Sequence, residues 1–353
     1  MSTIFEPLTV GSLHLPNRII MAPLTRARAT ADTFTPVPMM AEYYSQRATA
    51  GLIISEATVV DRMGIGYAAT PGIWSAEQVE GWKGVTKAVH DSGGRIMLQL
   101  WHVGRISDPS LLDGNPPVSA SALAAGGYVS LLRPERPYPV PRALETSEIA
   151  GIIAAFRQGA VNAKEAGFDG VEIHGANGYL LDQFLQDSTN QRTDAYGGSR
   201  EKRARLLLEV TDAVIDVWGA DKVGMHLAPR ADSHDMGDSD RLATFTYVAR
   251  ELGKRQLAFI CAREARLADS IGPCIRDAFG GVYIVNENFT GESAAAALAD
   301  GIADAVAFGK AFIANPDLVA RLATGAPLNS WDDRTFYGGG VKGYLDYPTL
   351  PAA

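Results

Sequence analysis

The sequence predicts a (β/α)8 barrel, and three observations carry the prediction. Eight short apolar or β-branched runs alternate with longer segments of helical period along the 353 residues. Several of these runs are almost continuously apolar, as in strands covered on both faces. The first run leads into Leu24-Thr25-Arg26, without the G-x-G-x-x-G that would favour the rival doubly wound sheet. No linker or composition break divides the chain. One barrel unit over residues 1–353 is therefore expected, since α/β barrels run past about 250 residues as one unit.

In order, the runs are Arg18–Leu24, Gly51–Thr58, Arg95–His102, Gly170–His174, Val223–Leu227, Leu257–Ala262, Gly281–Val285 and Ala305–Gly309. Ser75-Ala-Glu-Gln78 reads as a capping box, because each side chain can satisfy the other's orphan amide. Val79, Trp82, Val85 and Val89 then repeat at helical spacing until Gly93-Gly94. Thr146 or Ser147 is expected to cap a second helix with the stripe Ile149, Ile152, Phe156, Ala160 and Ala163. A third runs from Ser199 through Leu206, Val210, Val214 and Val217. Asn315-Pro316 is expected to begin another, in N-cap then N1 order. The Gly/Pro-rich stretch from Asp113 to Arg142 is long for a loop. It is disordered or a structured lid, and its place on the active face of a barrel favours the lid.

Bulk properties exclude several classes. Apolar residues make up 46% and charged residues 20%, which suits a globular chain with a large core. A net charge of -8 argues against nucleic acid or an anionic membrane as main partner. The two cysteines, Cys261 and Cys274, are too few for an iron–sulfur cluster and are expected to be buried, reduced thiols. The N-terminal stretch from Met1 has no signal-peptide pattern, and no run of about 18 apolar residues suggests a membrane span. A cytoplasmic protein, monomeric or homodimeric, is expected.

Barrel enzymes place their chemistry at the C-terminal ends of the strands. Those ends carry Pro23, Leu24 and Thr25; Glu56 and Ala57; Gln99, Trp101 and His102; His174, Asn177 and Tyr179; His226 and Arg230; Arg263 and Glu264; Asn286, Glu287, Asn288 and Phe289; and Gly309 with Lys310. The set is rich in neutral donors and holds no nucleophile in an elbow motif. No H-x-H follows the first strand, so a metal centre is not expected. These residues suit a large planar polar cofactor with a modest acid–base requirement. The seventh and eighth strand ends are the usual phosphate site of barrels, where Lys310 would help.

Four segments then carry a resemblance. Met21-Ala-Pro-Leu-Thr-Arg26, Asn190-Gln-Arg-Thr-Asp-Ala-Tyr-Gly-Gly-Ser199, Ala307-Phe-Gly-Lys-Ala-Phe-Ile-Ala-Asn-Pro-Asp-Leu318 and Gly343-Tyr-Leu-Asp-Tyr-Pro348 resemble signature segments of the old yellow enzyme family. They occur in one order along essentially the whole chain. The resemblance implies non-covalent FMN, NADH or NADPH as reductant, and reduction of activated alkenes. It implies that His174 and Asn177 bind the substrate's carbonyl or nitro oxygen and that Tyr179 donates the proton. It assigns Pro23, Leu24, Thr25, Ala57, Gln99, His226, Asn288, Gly309 and Lys310 to the cofactor, and Tyr67, Trp101 and Tyr344 to the substrate cavity.

The chain also departs from the family pattern. His226 stands where an Arg is usual opposite flavin N1 and O2, so less stabilisation of anionic reduced flavin is expected unless the imidazole is held protonated. Asn286-Glu-Asn288 replaces a glycine-rich turn, and Glu287 must point away from the phosphate. Lys310 replaces an Arg, and Lys202 an Asn. Two rival functions stay open at this point: a phosphate-binding aldolase or isomerase without flavin, and a non-catalytic flavin-binding protein.

Overall fold

The computed structural model describes residues 3–230, 233–265 and 267–351, so Met1 and Ser2 of the N-terminal stretch lie outside the described residues. The expected barrel is present. Its parallel strands are β1 (Ile19–Met21), β2 (Leu52–Ile54), β3 (Ile96–Trp101), β4 (Gly170–Gly175), β5 (Val223–Leu227), β6 (Phe259–Arg263), β7 (Val282–Asn286) and β8 (Ala305–Phe308). Each pairs with the next, and β8 pairs back onto β1 through Val306↔Ile19 and Phe308↔Met21. The main helices follow in alternation: α1 (Pro38–Ser45), α2 (Ala76–Asp91), α3 (Ile149–Glu165), α4 (Arg205–Trp218), α5 (Arg241–Lys254), α6 (Gly272–Phe279), α7 (Gly291–Ala299) and α8 (Leu318–Thr324). No helix among the described residues is long and apolar enough to cross a membrane.

Strand parity divides the core in two. Ile20, Leu52, Ile54, Met97, Phe259 and Ile284 fill the barrel interior. Gly224 makes room for Phe259, because a Cβ there would lie 2.1 Å from the ring's Cζ. Residues of the other parity, such as Ile53, Leu98, Val171 and Ile260, pack outward beneath the helices. A hairpin absent from the sequence-based expectation, Leu8–Val10 with Leu13–Leu15, adds Val10 and Leu15 to the interior cluster. Its strands have three residues each, too few to show a period-2 pattern.

The capping box of α2 forms: Ser75 Oγ accepts from the Gln78 amide at 3.2 Å, and Gln78 Oε1 from the Ser75 amide at 3.1 Å. Three expectations are corrected. A 3-10 turn, Thr146–Glu148, precedes α3. The Glu145 amide donates to the Glu148 carboxylate at 2.7 Å while the Thr146 hydroxyl is drawn away to Asp194 at 2.6 Å, so Glu145 is the cap. Asn315-Pro316 does not begin a helix; it links Lys310–Ala314 to α8, and the Asn315 side chain bonds back to the Ala311 carbonyl at 2.8 Å. Cys274 is exposed, because α6 turns Ile275 and Phe279 inward and leaves position 274 on the solvent side, whereas Cys261 is buried in the barrel.

Residues 113–142 fold as a lid. Val118–Ser119 pairs with Arg142–Ala143, Tyr128 bridges Pro137, and Val129 and Tyr138 pack against Trp101, Ile106 and Leu112.

Candidate active site

The site begins on the barrel floor. Register places Gln99 beside Glu172, and His226 between His174 and Cys261, so these side chains share the inward face. The Gln99 Nε2 amide donates to Glu172 Oε2 at 2.6 Å and to His226 Nδ1 at 3.1 Å. His226 therefore accepts at Nδ1 and carries its proton on Nε2. Among the described residues, that buried Nε2, His174 Nδ1 and Glu172 Oε1 have no partner. Burial, with the Arg263 charge, holds His226 down to about 3, so it is neutral at physiological pH. Burial pushes Glu172 up to about 8 despite the Gln99 bond. His174 stacks 5.2 Å from His226 and is also held neutral, first by burial and then by His226 and Arg263.

The wall above is built by the turn after β4. Asn177 and Gly178 both adopt left-handed backbone, φ 58 and 78, a conformation that Asn and Gly tolerate best. The Gly178 amide is fixed to Asp182 Oδ2 at 2.9 Å and its carbonyl to Gln183 Nε2 at 2.7 Å. The turn brings Tyr179 around to the side of His174, while the Asn177 side chain meets Arg263. The Tyr179 ring stands edge-on to His174 at 5.1 Å and to Trp101 at 5.0 Å, and its hydroxyl bonds the Tyr67 hydroxyl at 3.0 Å. Burial raises the Tyr179 phenol well above its ordinary value, so it stays protonated. A cavity of about 450 Å³ opens here, lined by Thr25, Tyr67, Tyr179, His234, Tyr337 and the lid residues Tyr128–Leu131, Arg133 and Glu135.

A second cavity, of about 360 Å³, lies over the ends of β1, β7 and β8. Leu24, Arg263, Asn286–Phe289, Gly309, Lys310 and Trp331 line it. A Cβ on Gly309 would stand 3.3 Å from Leu24 Cδ2, so the glycine keeps this wall open. Lys310 Nζ lies 5.7 Å from the centre of the Trp331 ring. Glu287 lines this cavity too, with its carboxylate bonded to Arg263 Nη2 at 2.9 Å.

Most of the expected residues therefore converge. Thr25, Tyr67 and Tyr179 meet at the first cavity, and Leu24, Asn288, Gly309 and Lys310 at the second. His174, Gln99 and His226 form the floor, and Pro23 adjoins Leu24 on the loop. Ala57 is buried in the cluster that holds Trp101. Trp101 is 1% exposed and supports Tyr67, 5.6 Å away, from behind. Tyr344 is the correction. It is fully buried, stacked on Tyr43 at 4.1 Å beneath Arg26 and Arg28, and does not reach the cavity. Tyr337 supplies the C-terminal aromatic instead.

Sequence reasoning missed Glu172, His234 and Tyr337 as site residues and gave Arg263 no role. Period 2 alone puts Glu172 on the face of His174. His234 donates from Nδ1 to the Asn177 carbonyl at 3.1 Å across a long loop, which no local pattern signals.

Known proteins resemble the chain along essentially its whole length. A model of the NADH:flavin oxidoreductase / NADH oxidase family matches residues 3–329. A probable flavin mononucleotide-dependent alkene reductase of Leishmania infantum is 45% identical over 99% of this chain and 98% of its own length. The 12-oxophytodienoate reductase 1 of Oryza sativa subsp. japonica is 44% identical over 98% of this chain and 93% of its own. Among solved structures, morphinone reductase in complex with tetrahydroNAD superposes with a TM-score of 0.95 at 50% identity, over 99% of this chain and 98% of that one. The old yellow enzyme homologue from Zymomonas mobilis gives 0.96 at 44%, over 99% and 100%. The chain belongs to the NADH:flavin oxidoreductase / NADH oxidase family, that of the old yellow enzymes.

Proposed function

We propose that this protein is an FMN-dependent ene-reductase acting on α,β-unsaturated carbonyl or nitro compounds. The observation that carries the reading is the Tyr179 phenol on the cavity wall, edge-on to His174 and two residues beyond Asn177, above a floor of buried, neutral, partly unpartnered polar groups. The residues present fit a flavin nucleotide. The unpartnered His226 Nε2–H offers a donor to a polar ring edge. The glycine-opened wall with Asn288 and Lys310 suits a phosphate. Thr25, Gln99 and His226 would hold the ring, Pro23, Leu24 and Ala57 would pack against it, and Asn288, Gly309 and Lys310 would hold the phosphate. Bound FMN supplies two-electron carriage, from NADH or NADPH to the β-carbon of the alkene.

The remaining chemistry belongs to the side chains. His174 and the Asn177 amide bind the substrate oxygen and offset the negative charge that grows on it. Neither is ionised, so both act as neutral donors at every working pH. Tyr179, kept protonated by burial and poised on Tyr67, gives its proton to the α-carbon. The lid and the tyrosines wall the cavity.

The test is a spectrum of the purified protein, anaerobic addition of NADH or NADPH, and a chase with 2-cyclohexenone. Flavin absorbance that bleaches and then returns on enone addition is expected. A colourless protein would sink the flavin, and bleaching without recovery would sink the alkene chemistry. Replacing Asn177 by Ala should slow the recovery phase about 100- to 1000-fold, the usual cost of one oxyanion donor.

A further inference from the structure

Arg263 ends β6, and its guanidinium crosses the barrel mouth between the two cavities. Nη1 donates to Asn177 Oδ1 at 2.9 Å, and Nη2 to Glu287 Oε1 at 2.9 Å. A guanidinium has donors only, so it can face just one end of a carboxamide, the oxygen. The two orientations of an Asn amide otherwise have nearly the same shape. Among the described residues, the other side of Asn177 is tied only through its backbone, to His234. Arg263 alone therefore decides which way the Asn177 amide points.

We propose that Arg263 is a positioning residue for the substrate oxygen: it pins the Asn177 carboxamide oxygen so that the NH2 faces the cavity, and Glu287 pins Arg263 in turn. The proposal rests on the reading of Asn177 as a donor to that oxygen. Two features of the chain then have one explanation. Glu287 holds a left-handed backbone conformation, φ 95, which non-glycine residues rarely adopt. It brings an acid to the wall of the phosphate-side cavity, where only a partner such as Arg263 makes its charge tolerable. Without Arg263, the Asn177 amide is free to flip and to present its own oxygen to the substrate's. A bond from a cation also polarises the amide and strengthens its N–H groups as donors.

The experiment is a double-mutant cycle on the flavin-loaded protein, with Arg263→Met and Asn177→Ala alone and together. One readout is the dissociation constant of 4-chlorophenol, whose oxygen carries the charge that the pair should stabilise, read from the flavin spectrum. The other is the rate at which 2-cyclohexenone reoxidises the reduced protein, with limiting rate and half-saturation separated. Arg263→Met should weaken 4-chlorophenol and slow reoxidation about tenfold with Asn177 present, and change neither appreciably in the Asn177→Ala background. Glu287→Gln should move both in the same direction by less. Arg263→Lys, which keeps one donor and is the safer variant for folding, should recover part of the loss. Equal losses in both backgrounds, or no loss with FMN still bound, overturn the proposal and leave the function standing. A wild-type protein without FMN overturns the functional reading and this proposal together.

Discussion

His226 stands where the family resemblance implies an Arg. A guanidinium is charged at any working pH, but this imidazole is buried, carries its proton on the unpartnered Nε2 and is held neutral at physiological pH. The nearest fixed cation is Arg263, one strand away, whose charge is felt at both His174 and His226. Anionic reduced flavin should therefore be less favoured than with a cation at position 226. His226→Arg is expected to raise the flavin midpoint potential, by about 30 mV for each tenfold gain in preference for the reduced form. Dye-equilibration measurements on both proteins decide this, and equal potentials would refute it. Tyr179→Phe makes the complementary case on the substrate side. It removes a general acid, so reoxidation by enone should fall about 100- to 10000-fold while bleaching by NADH or NADPH is far less affected. Equal slowing of the two phases would place Tyr179 outside the proton transfer.

Between elements, the C-terminal tail is what the sequence misassigned. Arg26 and Arg28 donate to the carbonyls of Thr335, Phe336, Gly340 and Gly343, and Tyr344 stacks between Tyr43 and these guanidiniums. The tail is thus strapped to the loop that carries Thr25, and Tyr337 is set over the cavity. Tyr344→Ala should cost about 3–5 kcal/mol of stability, the range for deleting a buried ring, with substrate half-saturation shifted less than by Tyr337→Ala. Denaturant titration and kinetics on the two variants separate anchor from wall, and a Tyr344→Ala protein as stable as wild type would contradict the assignment. The strands and α2 were legible because continuous apolar runs and a capping box are local signals. The role of Tyr344 was not, because its environment is made by Tyr43, Arg26 and Arg28, some 300 residues earlier in the chain. The same holds for Arg263. Its position at a strand end was readable, but its partners Asn177 and Glu287 come from two other strand ends.

For the molecule as a whole, a barrel with ionisable groups in its interior has a pH response set by burial. Glu172 is pushed up to about 8, and Glu56 and Asp182 to about 7. A carboxyl raised in this way favours folding below its unfolded pKa, and that contribution is lost as pH climbs through the folded value. The buried imidazoles act in the opposite sense. His102 is lowered to about 4 and His226 to about 3, so their contribution is present above about 6.5 and is lost as pH falls through those lower values. The two slopes oppose each other at acid pH, and above about 6.5 only the carboxyl slope remains, so stability should decline from about pH 6.5 to about pH 8. Urea titrations across that range test it. Glu172→Gln retains an acceptor for Gln99 but has no proton to lose, so its stability should fall less than wild type between about pH 6 and 9. Wild-type stability that rises steadily to pH 9, or identical alkaline slopes in the two proteins, would mean that the floor of the barrel does not hold its carboxyl protonated. The neutral network of Gln99, Glu172 and His226 beneath the cofactor site would then have to be redrawn around a charge.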